Sequence, residues 1–475
     1  MVMVCLTAMR WPKAVTHWNK MTKTFFFCGI GGSGMSAIAQ VLLHTGHTVR
    51  GSDRSYDQGN NLALYQNLAA LGVALYPQDG SGIDNTVNTL VVSSAVEPSI
   101  PDVKAALELD LPIQKRAAIL AWLFNQGEGI AVGGTSGKTT VTGMIGHILH
   151  QNNYKPTVIN GGIMLNAVHP PHLGNAICGN PNLPVVEADE SDGTIALYDP
   201  KVAVLTNISL DHKSIEELEK LFGDFCHRAK DAAVVNLDCK RSADLTHRLH
   251  KRTTFGVENP HADCNATHIQ LLPDGAAFQA QGVPCRLYMP GRHNIANAMA
   301  AITACLAMGV SIQDAVEALA SFKGIGRRLQ VIGQKNGITV IDDFAHNPDK
   351  IAASLAALKA QPGRLLTVFQ PHGFAPTRML KDGLIQAFIN GLDTKDLLIM
   401  PEIFYAGGTA QKDISSAHLI DAIAQQDRKA EFIPTREAIG QRLTEEAREG
   451  DRIVIMGARD DTLTDFARGI LACIQ

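Results

Sequence analysis

The run Gly133-Gly134-Thr135-Ser136-Gly137-Lys138-Thr139-Thr140 concentrates the chemistry of this chain. An apolar stretch, Gly129 to Val132, precedes it, and a helical pattern with Val141, Met144, Ile145 and Ile148 on one face follows. Strand, glycine turn and helix in that order aim backbone N–H groups and the positive end of a helix dipole at one point. Lys138 adds a point charge there, and Thr139 offers a hydroxyl to a phosphate-bound magnesium ion. Val132 stands where a strict P-loop has its first glycine. The setting between strand and helix nevertheless predicts a nucleoside-triphosphate site over Gly134, Thr135, Ser136, Gly137, Lys138, Thr139 and Thr140.

A second glycine loop, Gly29-Ile30-Gly31-Gly32-Ser33-Gly34, follows an apolar strand and precedes a helix from Met35. Asp53, at the end of the next strand, stands where a dinucleotide fold places its ribose-binding acid. Such a loop cradles a pyrophosphate, and a dinucleotide and a nucleotide sugar both carry one. Val186-Glu187-Ala188-Asp189-Glu190-Ser191-Asp192 sets four acids at a strand end, where carboxylates are natural magnesium ligands beside a phosphate loop. Thr206 to His212 ends the next strand in the same way, with His212 as ligand or orienting group. Asn294 and Asn297 share a helix face at i, i+3 and suit either a base or ribose or a helix cap. Arg327-Arg328 offers a guanidinium to phosphate. Asp342-Asp343-Phe344-Ala345-His346-Asn347-Pro348 sets an acid and an imidazole at a further strand end.

The elements that must hold these groups alternate between strand-like and helix-like patterns, which predicts an α/β fold with mostly parallel sheets. At 475 residues, length suggests about three domains. The expected division is an N-terminal arm over 1–20, outside the fold, then a Rossmann-like domain over 21–125. A central P-loop-type ATPase domain over 126–322 and a Rossmann-like α/β domain over 323–475 follow, with Lys323-Gly324-Ile325-Gly326 as linker. Strands are expected at Thr24 to Ile30, Thr48 to Asp53, Leu90 to Ser94, Leu183 to Glu187, Val202 to Asn207, Ile338 to Asp342, Leu365 to Gln370, Leu397 to Met400 and Arg452 to Met456. With 45% hydrophobic and 19% charged residues the chain is globular. A net charge of −4 gives no reason to expect nucleic acid, and no apolar stretch approaches membrane-spanning length. Nine cysteines without CxxC spacing fit reduced thiols in a cytoplasmic enzyme.

The order of these motifs resembles that of the Mur ligases, ATP-dependent amino-acid ligases of peptidoglycan synthesis, over about residues 22–475. The lysine loop, Glu187, Asp211-His212, the His293-Asn294-x-x-Asn297 helix, Arg328 and Asp343 carry the family likeness. Gly31 to Met35, Ser93-Ser94-Ala95-Val96, Lys115-Arg116-Ala117, Phe369-Gln370-Pro371-His372 and Tyr405-Ala406-Gly407-Gly408 are most similar to its alanine-adding branch. The resemblance implies UDP-N-acetylmuramate and L-alanine, or a similar small amino acid, as substrates, with ATP and magnesium or manganese. It assigns the UDP-sugar to Gly29, Gly31, Gly32, Ser33, Gly34, Met35, Asp53, Ser93, Ser94 and Arg116, in place of a dinucleotide. It makes Lys138, Glu187, His212 and Arg328 catalytic and has Thr139, Glu187 and His212 hold metal. Asn294, Asn297, Arg328 and Asp343 would contact the nucleotide, and His346, His372 and Tyr405 the amino acid. A monomer or homodimer is expected.

Some positions depart from that branch's pattern: Ser136 for histidine in the lysine loop, Ser209-Leu210 before Asp211-His212, Asn347 for a second histidine, and Gly373-Phe374 where Arg-Tyr is usual. The last removes a carboxylate-binding fork. Alternatives are therefore a murein tripeptide ligase of cell-wall recycling, or a paralogue using another amino acid. Ser191 favours the single-amino-acid enzyme, because the recycling group tends to carry tyrosine there.

Overall fold

Apolar runs followed by amphipathic helices build three successive sheets in the computed structural model. It describes residues 22–93, 96–191, 193–210, 213–272, 274–405, 411–460 and 462–474. The expected arm over 1–20 and the residues Ser94, Asp211 and His212 lie outside the described residues.

The first sheet holds β1 (Thr24–Cys28), β2 (Thr48–Ser52), β3 (Ala74–Tyr76), β4 (Thr89–Val92) and β5 (Ile113–Lys115), in the order β3-β2-β1-β4-β5. All pairs are parallel. Phe25, Phe26, Phe27 and Cys28 are buried in succession, as a strand covered on both faces requires. The glycine loop leaves β1 where the order turns from β2 to β4, the switch point at which such sheets bind ligands.

The second sheet contains β6 (Ile130–Gly133) and β7 (Pro156–Ile159), beyond which β8 (Val168–His169) and β9 (His172–Leu173) pair separately. It continues with β10 (Ala176–Ile177), β11 (Asn180–Glu187), β12 (Val202–Leu205), β13 (Ala232–Asn236), β14 (Arg252–Gly256), β15 (Cys264–Leu272), β16 (Gly275–Ala280) and β17 (Val283–Leu287). The order is β10-β7-β11-β6-β12-β13-β14-β15-β16-β17. Its middle is parallel, in line with the expected mostly parallel sheets, while β10 runs against β7 and β15 to β17 form an antiparallel flank. The helix Lys138–Gln151 buries Val141, Met144, Ile145 and Ile148 beneath this sheet, each contributing about 1.5–3 kcal/mol.

The third sheet holds β18 (Gln330–Lys335), β19 (Ile338–Asp343), β20 (Leu365–Gln370), β21 (Leu397–Met400), β22 (Lys429–Phe432) and β23 (Arg452–Gly457), ordered β18-β19-β23-β20-β21-β22. Only β18 is antiparallel there. Several strands end earlier than the sequence suggests: β1 at Cys28 rather than Ile30, β2 at Ser52 rather than Asp53, β12 at Leu205 rather than Asn207. Gly29 turns with a φ of 84°, Asp53 accepts Ser55 N–H, and Thr206 donates to Ser136 O, so each leaves the ladder for a turn or a loop contact.

The eight described cysteines are free thiols. Burial pushes those of Cys226 and Cys285 up to about 12, which makes them poor nucleophiles. Among the described residues no helix is long and apolar enough to cross a membrane.

Candidate active site

Gly133 ends β6 and the lysine loop follows at its carboxyl end. The loop is stapled from the end of β12. Thr135 N–H donates to Asn207 O at 3.0 Å, Ser136 N–H to Asn207 Oδ1 at 3.0 Å, and Thr206 Oγ1 to Ser136 O at 2.6 Å. Gly134 and Gly137 have φ of 127° and 89°, a region costly for other residues. A Cβ on Gly134 would lie 2.1 Å from Thr206 Oγ1, and one on Gly137 2.6 Å from Asn297 Oδ1. Asn297 therefore stands against the lysine loop. Asn294 is buried and engaged locally: it donates to Pro290 O at 2.7 Å and accepts from Asn297 Nδ2 at 3.1 Å.

Lys138 Nζ donates to Gly134 O at 2.8 Å and to Glu190 Oε2 at 2.7 Å. Burial alone would push its ammonium down, but Glu190, Asp189 and Glu187 outweigh it and hold it above the ordinary lysine value. Burial conversely pushes the Glu190 carboxyl up, against the pull of Lys138. Lys138 keeps its proton in this pair, because three carboxylates face it. The ion pair was not legible in the sequence.

Thr139 Oγ1 donates to Glu187 Oε2 at 3.0 Å, which joins the two expected magnesium ligands across the helix N-terminus and the end of β11. The other carboxylate oxygen of Glu187 accepts Gly161 N–H at 2.5 Å. Gly161 belongs to a segment, residues 160–165, that sequence reasoning missed. Its only local signal is Asn160-Gly161-Gly162 after the apolar strand β7. Asn160 Nδ2 donates to Thr139 O at 3.1 Å, and Ser33 Oγ reaches from the first glycine loop to Gly161 O at 2.8 Å. Gly326 N–H donates to Ile163 O at 2.8 Å and Leu165 N–H to Gly324 O at 3.1 Å, so the linker to the third sheet is fastened to the same segment. All three sheets thus meet on residues 160–165.

In the first loop Gly31 N–H donates to Asp53 Oδ2 at 2.9 Å while Asp53 Oδ1 caps the next short helix through Ser55 N–H. Asp53 fixes the loop itself, a role that a ribose-binding reading does not include. Met35 is buried in the core, so that position offers the loop its backbone. The Arg116 guanidinium packs on Gly34 and would lie 2.8 Å from a Cβ there. Against the opposing effect of burial, Lys138, Ser191 and Arg116 hold the Asp189 carboxyl below the usual range. Ser93 directly follows β4, at the carboxyl end of the same sheet.

From the third sheet, the Arg328 guanidinium lies 4.7 Å over the Phe344 ring and within electrostatic reach of Asp343 and Glu187. Asp343 accepts Leu329 N–H at 3.1 Å and Ser354 Oγ–H at 2.5 Å, which fixes the turn that carries Arg328. Farther along, the His346 and His372 rings meet at 5.5 Å and 68°, and the Tyr405 ring meets Phe374 edge to face at 5.3 Å and 64°. The three expected amino-acid-site residues therefore lie at neighbouring strand ends.

Burial, reinforced by Lys350, pushes His346 down to about 3; burial, reinforced by Arg459, pushes His372 to about 4; burial takes His293 to about 4. In the unfolded chain these rings titrate near 6.5. Between roughly pH 6.5 and pH 4 the unfolded chain therefore binds more protons, so stability falls as the pH is lowered through that window. The expected result is a Tm that declines from pH 6.5 to pH 4, with a shallower decline for His346→Gln. Thermal melts across that range check it, and identical slopes for the two proteins would refute it.

Residues 24–128 match the catalytic domain of the Mur ligase family, residues 132–305 the Mur ligase middle domain, and residues 327–459 the Mur ligase glutamate ligase domain. The UDP-N-acetylmuramate–L-alanine ligase of Pelotomaculum thermopropionicum is 36% identical over 448 residues, 91% of this chain and 94% of that one. Its counterpart in Agrobacterium fabrum is 37% identical over 477 residues, 96% of each chain. Among solved structures, the UDP-N-acetylmuramate–alanine ligase of Thermotoga maritima superposes with a TM-score of 0.78 at 24% identity, covering 94% of this chain and 98% of that one. A murein peptide ligase of Psychrobacter arcticus gives 0.66 at 23% identity, covering 95% and 98%. Those two likenesses bear on the fold.

Proposed function

The chain belongs to the Mur ligase family, and from that membership we propose that it joins the carboxylate of UDP-N-acetylmuramate to L-alanine at the expense of ATP, in peptidoglycan precursor synthesis. The observation that carries the reading is the joining of the lysine loop, through Glu187 and Gly161, to the first glycine loop. A triphosphate site and a pyrophosphate site linked in this way suit a reaction between two nucleotide-bearing substrates.

A carboxylate does not react with an amine, so ATP first converts it to an acyl phosphate. The sugar carboxylate attacks the γ-phosphorus, ADP leaves, the amino group then attacks the acyl carbon, and inorganic phosphate leaves as the amide forms. Positioning and charge neutralisation dominate the first step. Lys138, protonated in its pair with Glu190, supplies the charge for the β- and γ-phosphates. Backbone N–H groups at the start of the helix Lys138–Gln151 supply donors, and Asn297 borders the same loop. Arg328, held by the turn on Asp343, completes the site from the third domain when it closes on the nucleotide.

Thr139 and Glu187 suit a hard divalent cation: a hydroxyl and a carboxylate meet at 3.0 Å beside a phosphate loop, and magnesium commonly takes few protein ligands plus phosphate oxygens. A magnesium ion held by Thr139 and Glu187 would supply positive charge against the phosphate oxygens. His212 is proposed as a further ligand on the family pattern. His346, His372 and Tyr405 are proposed for the amino-acid site, and the cytoplasm as the compartment where these substrates occur.

Phosphate release from ATP and magnesium with UDP-N-acetylmuramate, assayed with L-alanine, glycine, L-serine and the murein tripeptide, tests the reading. Release dependent on L-alanine is the expected result. Dependence on tripeptide alone would move the protein to recycling, and no release with any acceptor would overturn the ligase assignment.

A further inference from the structure

Within the third sheet, Gln370 of β20 pairs with Gly457 of β23, and Asp343 of β19 pairs with Met456 on the other side. Two residues past Gln370 stands His372, two past Gly457 stands Arg459, and three past Asp343 stands His346. The helix after β19 (Pro348–Lys359) and the helix after β20 (Phe374–Gly391) pack into one hydrophobic layer with Ile351, Leu355, Leu384 and Phe388. The helix after β23 (Leu463–Cys473) packs into the opposite layer through Leu463, Ala467 and Ile470. Arg459 therefore leaves a strand whose following helix lies on the face opposite to the helices that follow its two neighbours, an arrangement that opens a ligand crevice at the strand ends of α/β sheets.

Arg459 has φ of 62°, a left-handed conformation that an arginine rarely adopts and that persists where surrounding structure holds it. The next residue provides that hold. Asp460 is buried, accepts from Thr462 N–H at 3.1 Å and Thr462 Oγ1 at 2.6 Å, and is paired with Arg436. With Asp460 so engaged, Arg459 is exposed and has no carboxylate partner among the described residues. Other arginines nearby are engaged: Arg436 with Asp460, Arg378 with Asp413, Arg327 with Asp342 and Gly457 O, and Arg328, whose charge also reaches His346, with the Phe344 ring and the charges of Asp343 and Glu187. Its charge bears on the imidazole of His372, which burial already keeps neutral. The His346–His372 pair consequently presents neutral rings near the Arg459 cation, with Lys412 5.6 Å above the Tyr405 ring at the edge.

A guanidinium at a strand-end crevice, with no carboxylate partner among the described residues, is a fork for a planar anion. We propose that Arg459 binds the α-carboxylate of the incoming amino acid and so selects a free amino acid over an amine or amide. This rests on the ligase reading, with the amino acid entering at the third domain. His346 and His372 flank the carboxylate without adding charge.

The test compares L-alanine with L-alaninamide as acceptor in the unaltered protein and in Arg459→Gly and Arg459→Lys. Arg459→Gly removes the guanidinium at a φ that glycine adopts freely, so its Tm is expected to be no lower than that of the unaltered protein. The KM for L-alanine is expected to rise about 10- to 100-fold in Arg459→Gly. The preference for the acid over the amide should fall by a similar factor, with kcat changed far less. Arg459→Lys should lie between, because a point charge replaces the fork. An unchanged KM for L-alanine, or equal changes for acid and amide, would overturn the assignment. Absence of L-alanine-dependent phosphate release from the unaltered protein would instead overturn the ligase reading, and this proposal with it, before any variant is made.

Discussion

Lys138→Ala is expected to lower ligation by about a thousandfold or more, because it removes the cation that a preorganised phosphoryl-transfer site uses against developing negative charge. The same side chain also has a structural partner, so lost turnover must be separated from lost folding. Alanine leaves the buried Glu190 carboxyl unpaired, and an unpaired buried charge costs several kcal/mol if it stays ionised. Burial already pushes this carboxyl up, so it escapes most of that cost by taking a proton. The single variant should therefore fold with a modest loss in Tm, and adding Glu190→Gln should recover that loss without restoring activity. Phosphate release and thermal melts on the two variants check both parts. Turnover within tenfold of the unaltered protein would sink the role of Lys138.

Glu187→Ala is expected to abolish turnover through two losses at once. One carboxylate oxygen meets the Thr139 hydroxyl, and the other holds Gly161 N–H. Glu187→Gln separates them: the amide keeps an acceptor for Gly161 and deletes the negative charge available to a cation. The glutamine variant should lose about 100-fold or more in turnover, and its magnesium requirement should rise at least about tenfold. The alanine variant should in addition bind UDP-N-acetylmuramate more weakly, because Gly161 is the group that Ser33 contacts. A magnesium titration of phosphate release, together with sugar-nucleotide binding, distinguishes the two. Equal magnesium dependence in all three proteins would refute the metal-ligand role.

The two glycine loops, each between a strand and a helix, were legible because their code is local. Glycines, lysine and hydroxyl residues follow an apolar strand and precede an amphipathic helix, so spacing alone places N–H groups and charge together. The α/β class was legible for the same reason, since each strand and helix carries its own period. The antiparallel flank β15 to β17 was not, because runs such as Cys264–Leu272 bury only Cys264 and Ala266 and carry no sustained period of either strand or helix. The contact from Ser33 to Gly161 spans 128 positions, and the Lys138–Glu190 pair 52. Nothing in either neighbourhood announces such pairings: the approach of the first glycine loop to the second sheet creates one, and the pairing of β6 with β11 within a single sheet creates the other. Asp53 shows the converse. Its position past β2 suits a ribose, yet the structure engages both of its oxygens with backbone N–H groups of neighbouring turns.

The segment 160–165 bears on how enzymes of this architecture exchange parts. Its backbone and side-chain groups bond to the first loop, to Thr139 and Glu187 at the lysine loop, and to the linker before β18. A chimaera that imports a foreign third domain at the linker would therefore inherit a hinge whose hydrogen-bonding counterpart lies about 160 residues upstream, in the recipient. Ile163 and Leu165 contribute through O and N–H, which any non-proline residue supplies, so the match is one of backbone path rather than side-chain identity. Recombination between relatives should succeed when this short strand end travels with the transplanted domain, and should yield folded but uncoupled hybrids when it stays behind.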